Sequence, residues 1–362
     1  MNTLLVTVDS LRYDHYQYMI HTQDFLGESH DRTFATATAT LGCFPTIFTG
    51  RTNEPHDIDP TDSFVNEIND FTIGITANQL VSERYGYGGG FDHFTSPITE
   101  GGISMKDKIA ERIPRGITYD IATRVWSTFE RALSIVSDPD PPFRPADEMI
   151  NEFLENCGDT YFGWLHFMEP HHPYSPRSET GTRARRLSRS AVAGENPDRP
   201  EEVRRLYRQE VEELDESLHR LWQSIPSDTQ VIFTADHGEL LGEYGRWGHP
   251  GFLVPELLQV PFATRNIDIS SEVVSLLDIP SYILGTEFKD GQFDREVAYA
   301  SIQDSKAAIN RGHIVSTEGS YALGEETEVD SALKRELARF RPSGVSKTDA
   351  VEEDLEALGY LE

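Results

Sequence analysis

Cysteine is scarce in this chain: 362 residues carry two, Cys43 and Cys157. One pair cannot build a disulfide framework, and with no C-x-x-C spacing a thiolate zinc site is excluded. Long apolar runs are missing as well. No stretch approaches the ~20 apolar residues of a membrane-spanning helix. The opening MNTLLVTVDSLRYDH also lacks the basic segment and apolar run of a secretory signal, so the cytoplasm is the expected location. Positive charge is the third shortage. Lys and Arg number 32 against 61 Asp and Glu, a formal net charge of −29. Such a surface is a poor match for nucleic acid, whose binding draws on clustered Lys and Arg. It suits solvation in a salt-rich cytoplasm.

What is present describes a folded enzyme-sized chain. Hydrophobic residues make up 38%, enough for a packed core. The run Thr3 to Val8 (TLLVTV) is continuously apolar, as in a strand buried on both faces of a parallel sheet. Phe71 to Ile75, Tyr161 to Phe167 and Val231 to Thr234 repeat the pattern. Between them lie helical stripes: Ile117, Ile121, Val125, Phe129 and Leu133 in 117–136, and Leu206, Val211, Leu214, Leu218 and Leu221 in 200–223. Strands alternating with helices predict an α/β fold with a mostly parallel sheet. The polar, arginine-rich stretch 177–199 predicts a mobile loop. After about residue 290, VAYASI, HIVST and SYAL predict a small antiparallel β-rich appendage, followed by an acidic helix near 347–358. The expected division is a main unit at 1–288 and this appendage at 289–362.

Ligands of open α/β sheets sit beyond the carboxyl ends of the strands. The first strand delivers Asp9 there, and the strand at 230–234 delivers Asp236 and His237 in T-A-D-H-G-E. Two carboxylates and an imidazole are hard and borderline donors suited to a divalent cation such as Ca, Mn, Mg or Zn. An Asp after a strand is by itself commonly a helix cap; three such residues at two strand tips, before a Gly-Glu turn, point to a metal.

VTVDSLRYDH near the start, a T…FP…TGR segment, W-L-H-F-M-E-P-H-H-P-Y and F-T-A-D-H-G-E-L-L-G-E follow one another in this order. This ordered set resembles the sulfatase family of the alkaline phosphatase superfamily. The resemblance implies a three-layer α/β sandwich and a metal-dependent hydrolase or transferase acting on sulfate or phosphate esters. It implies that Asp9, Asp236 and His237 hold the cation beside the nucleophile, and that His171 and His249 contact the substrate's anionic group or its leaving oxygen. Arg51, His56 and His172 are further candidates for substrate contact, although Asp57 stands where the family has a Gly after the equivalent of His56. An Asp that two-metal relatives carry after the Pro is replaced here by His171, so one ion is expected rather than two. The alcohol part of the substrate is open: sugar, glycerol, lipid headgroup or aryl.

The nucleophile lies in T-L-G-C-F-P-T-I-F-T-G, residues 40–50. Sulfatases with C-x-P-S-R convert the cysteine to formylglycine. Here Cys43-Phe44-Pro45-Thr46 matches four positions, but Ile47 replaces the arginine. Family nucleophiles stand nine residues before the Thr of the T-G pair, which selects Thr40, with Cys43 as the alternative and otherwise a small buried apolar residue. A short helix expected from about Phe44 would aim amides at the anion. An unmodified threonine tilts the substrate toward phosphate, whereas family frequency tilts it toward sulfate. Phosphodiester cleavage, phosphoglycerol-type transfer and phosphomutase-like chemistry share this constellation. A non-catalytic sugar- or anion-binding protein on a decayed hydrolase scaffold is the rival from another class.

Overall fold

The computed structural model describes residues 2–52, 55–97, 143–179, 181–193, 197, 199–324, 328 and 331–341. The helices expected at 117–136 and 347–358 lie outside these residues. The central sheet has six strands: β1 (Thr3–Val8), β2 (Phe71–Thr76), β3 (His93–Thr95), β4 (Tyr161–Phe167), β5 (Gln230–Ala235) and β6 (Phe262–Arg265). Their order is β3-β2-β4-β1-β5-β6, parallel throughout except for β6, which runs antiparallel to β5. All six residues of β1 and all seven of β4 are buried. That is why these strands read as unbroken apolar runs instead of alternating ones.

The helix at Pro200–Ser224 buries Leu206, Val211, Leu214, Leu218 and Leu221, the stripe legible in the sequence. Its Asp215 reaches across to the short helix Ile20–Leu26 and accepts hydrogen bonds from His21 N (2.8 Å), Thr22 N (2.9 Å) and Thr22 Oγ1 (2.6 Å). The neighbouring element thus supplies the N-terminal cap which Met19 lacks.

Two expectations are corrected. The stretch read as a loop contains a helix, Gly181–Val192, packed on the Pro200–Ser224 helix. Its buried face is Ala184, Ser188 and Ala191 together with Arg185, three small residues and a charged one that leave almost no hydropathy signal. The helix carrying Thr40 spans Thr40–Thr49 and so begins four residues ahead of Phe44. Pro45, which suggests a helix start, sits inside it.

The appendage is a four-stranded antiparallel sheet, Ala298–Ile302, Ser305–Ile309, His313–Ser316 and Ser320–Ala322. The Ser305–Ile309 strand was not among those expected. The sheet shares a buried cluster with Phe34, Leu253 and Leu258 of the preceding chain. No helix among the described residues is long and apolar enough to cross a membrane.

Asp215→Ala leaves His21 and Thr22 without their acceptor. The expected loss of stability is about 1–3 kcal/mol, read as a lower urea midpoint at unchanged slope.

Candidate functional site

The site begins with strand pairing. β1 and β5 are neighbours in register, with Val8 opposite Ala235, so the next residue of each strand, Asp9 and Asp236, emerge side by side at the carboxyl edge. Adjacent strands are only ~4.8 Å apart. Backbone bonds fix both residues: Asp9 N donates to Phe167 O (2.9 Å) and Asp236 N to Val8 O (3.3 Å). Ser10 holds a positive φ of 58°, an uncommon conformation outside glycine. In it, the Ser10 amide donates to Asp236 Oδ1 (3.2 Å) and its hydroxyl to Asp9 Oδ1 (2.9 Å).

Thr40, the first residue of its helix, places Oγ1 3.2 Å from Asp9 Oδ2 and 3.0 Å from Asp236 Oδ2. His237 completes the cluster. Its Nδ1 donates to Gly238 O (2.8 Å), which fixes the tautomer and leaves the lone pair on Nε2. That Nε2 lies 3.8 Å from Asp9 Oδ1 and 3.5 Å from Asp236 Oδ2 and is buried with no hydrogen-bond partner. An imidazole lone pair aimed at two carboxylates is repulsive unless positive charge comes between them. Asp9, Asp236 and His237 bring one donor atom each within 4.8 Å of one another, so the residues fit a divalent cation.

The charges agree with this. Asp9, Asp236 and His237 are all fully buried. Burial raises the Asp9 carboxyl, but the neighbouring His171, His166 and His237 more than offset it and hold the group well below the usual range. Asp236 is driven up, first by burial and then by the charge of Asp9. The Cys43 thiol is pushed well up by burial and then by Asp236, and its sulfur donates to Ala37 O (3.4 Å). A protonated, buried thiol is a poor nucleophile.

A second group borders the first. His171, His172 and His249 also bring donor atoms within 4.8 Å of one another, and the rings of His249 and His237 are 4.7 Å apart. Nδ1 of His171 hydrogen-bonds the His172 carbonyl, and its Nε2 lies 4.0 Å from Asp9 Oδ1. Burial drives this imidazole down to about 3, so His171 is neutral. Glu239 is buried among donors: His249 Nδ1 at 3.0 Å, His172 Nδ1 at 3.8 Å and Tyr174 Oη at 3.2 Å. Burial raises its carboxyl, but the two histidines outweigh this and keep it ionised.

Arg51 and His56 stand on the segment that follows the Thr40–Thr49 helix. Arg51 follows the far end of the Thr40–Thr49 helix, ~15 Å along its axis from Thr40, and pairs with Asp62 (3.1 Å). His56 is buried between the rings of Tyr85 and Tyr87, at centroid distances of 4.8 and 5.6 Å. Arg12 clasps Asp14 through Nε (2.8 Å) and Nη2 (2.7 Å) and reaches Glu243 (2.8 Å), fixing the first loop. His166 receives or donates at Thr7 Oγ1 (3.0 Å) and turns Nε2 toward Asp9 Oδ2 at 3.7 Å. Two contributors went unnoticed in the sequence. Asn78 donates to Asp9 Oδ2 (2.9 Å) while its Oδ1 accepts from Leu80 N (2.8 Å). Its signal was a polar residue two positions beyond the carboxyl end of β2. Glu239 is the other, two residues after His237.

A mostly parallel sheet with buried carboxylates, a helix-borne hydroxyl and histidines at its carboxyl edge agrees with the resemblance to the alkaline phosphatase superfamily. The sulfatase family model matches residues 1–286, and the chain belongs to that family. Among curated proteins it is similar to the low-salt glycan biosynthesis sulfotransferase Agl7 of Haloferax volcanii, 24% identical over 72% of this chain and 53% of that one. The chain thus spans about half the length of the curated relative it matches. Among solved structures it is similar to the phosphonate monoester hydrolase SpPMH from Silicibacter pomeroyi, with TM-score 0.58, 16% identity and 93% of each chain covered. It is also similar to Ps i-CgsB solved with k-i-k-neocarrahexaose, with TM-score 0.59, 14% identity and 100% and 98% covered. At these identities the structures establish the shared fold.

His56 offers a test of its own placement. Burial lowers its imidazole to about 3, whereas the unfolded chain titrates near 6.5. Between those values the unfolded state binds the extra proton, so acid destabilises the fold as pH falls below ~6.5, by up to ~1.4 kcal/mol per pH unit. Replacing His56 by Gln should flatten that limb of a stability-against-pH curve; an unchanged limb contradicts a neutral buried histidine.

Proposed function

We propose that this chain cleaves or transfers the sulfate or phosphate group of a small anionic ester, with Thr40 as the nucleophile. The observation that carries the reading is the position of Thr40 Oγ1 between Asp9 and Asp236. A divalent cation held by Asp9, Asp236 and His237 supplies the positive charge that makes a threonine hydroxyl acidic enough to attack.

The chain's own groups divide the remaining work. Thr40 forms a bond from Oγ1 to the sulfur or phosphorus as the bond to the ester oxygen breaks. Its proton has the two carboxylates within reach. The amides at the N-terminus of the Thr40–Thr49 helix favour negative charge on the transferred group. His249, held through Nδ1 by Glu239, donates a proton to the departing oxygen, and Glu239 balances the positive ring. His171, neutral with its lone pair on Nε2, accepts the proton of the water or alcohol that releases the group from Thr40. His172, beside both rings, completes the wall against the anion. Two histidines in different surroundings thus take opposite roles. Arg51 and His56 have no part in this reading. The name of the Agl7 relative favours an acceptor alcohol over water in the second step.

The test compares aryl sulfate, phosphate and phosphodiester substrates at high salt, with and without chelator. Thr40→Val should lose activity by ~10³-fold or more, Cys43→Ala should keep it, and chelator should remove it reversibly. Activity that survives in Thr40→Val and vanishes in Cys43→Ala reverses the assignment. Glu239→Gln should lower kcat for poor leaving groups more than for good ones, by about 10²-fold, and shift the limb of the pH profile that His249 governs. A uniform loss on all leaving groups assigns Glu239 to scaffolding instead.

A further inference from the structure

Beneath the His171 loop lies a cavity of about 380 Å³ that the ester chemistry does not use. Phe143, Pro145, Pro176 and Leu214 form apolar walls, and its charged lining is five carboxylates and one guanidinium, that of Arg177. Most of these charges are answered locally. Asp147 pairs with Arg177 (3.4 Å), Glu179 pairs with Arg205 (2.8 Å), and Glu213 accepts from the backbone amides of Arg177 (2.7 Å) and Ser178 (3.3 Å).

Glu169 and Glu210 differ. Among the described residues neither takes part in an ion pair. Glu169 accepts from Ala146 N (3.2 Å) through Oε1, while its Oε2 is shut away from solvent with no hydrogen-bond partner. Glu210 is 6% exposed and accepts from Ser175 N alone. Glu210 is buried and Glu169 half-buried with its Oε2 shut away, and two neighbouring carboxylates so placed are costly in the ionised form unless a positive charge joins them. Burial raises both groups, and the charge of Glu169 pushes Glu210 further.

We propose that this cavity binds a small organic ammonium ion, its charged head between Glu169 and Glu210 and its carbon chain against Phe143, Pro145 and Leu214. The walls select an organic cation over a bare metal. Among the described residues, three donor atoms converge to metal spacing at the strand tips and in the histidine trio, and not here. A primary ammonium brings three donors, enough for the Glu169 Oε2 and the second oxygen of Glu210. The occupant also braces the site: Glu169 is two residues before His171, and the Phe143 ring meets the His171 ring edge-on at 5.9 Å.

The experiment is calorimetric titration of the full chain with n-butylammonium chloride against a constant high background of KCl, with melting temperature as a second readout. Saturable binding with a raised melting temperature is expected. Glu169→Gln and Glu210→Gln should each weaken it about tenfold or more, since each removes one charge-assisted bond. Both substitutions keep side-chain shape and relieve repulsion, so each variant should melt no lower than the parent without ligand. Either variant suffices if the other fails to fold. No saturable heat, an equal response to added KCl at matched ionic strength, or full binding in a folded Gln variant overturns the proposal.

Discussion

Two carboxylates buried side by side govern the architecture. β1 and β5 pair in parallel and in register, so Asp9 and Asp236 leave the sheet as neighbours, both fully buried. Like charges so placed are tolerated only when positive charge and hydrogen-bond donors surround them. The surroundings supply donors from several sides, the Ser10 amide and hydroxyl, the Asn78 amide and the Thr40 hydroxyl, and a cation held there with His237 would supply the charge. β4 on the other flank of β1 contributes His166 and the Phe167 carbonyl that holds the Asp9 backbone.

Tight approach of main chains keeps this arrangement rigid. A Cβ on Gly238 would lie 2.0 Å from Glu256 O, so the residue after His237 has to lack a side chain. The turn it permits carries Glu239 back among His172, His249 and Tyr174. One carboxylate therefore joins the loop after β4 to the loop after β5, and the two histidine groups form one continuous surface through the 4.7 Å contact of His237 with His249.

The parts legible in the sequence are those whose signal is local and strong. Thr3–Val8 and Tyr161–Phe167 were readable because burial on both faces demands uninterrupted apolar residues, and Asp9, Asp236 and His237 because they end such runs. The Gly181–Val192 helix was not, since Ala184, Ser188 and Ala191 bury little apolar area and its arginines mask the period. The start of the Thr40–Thr49 helix was displaced because Pro45 is a stronger punctuation mark than Thr40. Asn78 and Glu239 escaped because their meaning arises only from what the sheet and the Gly238 turn set beside them. Arg51 and His56 were proposed by order along the chain, and a ten-residue helix stands between Thr40 and Arg51.

The Gly181–Val192 helix rests its small-residue face on fixed points: the Ser188 hydroxyl accepts from Tyr174 N (3.1 Å), and Val192 packs on Gly248. Both lie within two residues of a histidine of the trio. Its outward residues, Thr182, Arg183 and Arg186 among them, are exposed. The inner face is therefore tied to the loops that carry His172 and His249, so a substitution there would reach those histidines while one on the outer face would not.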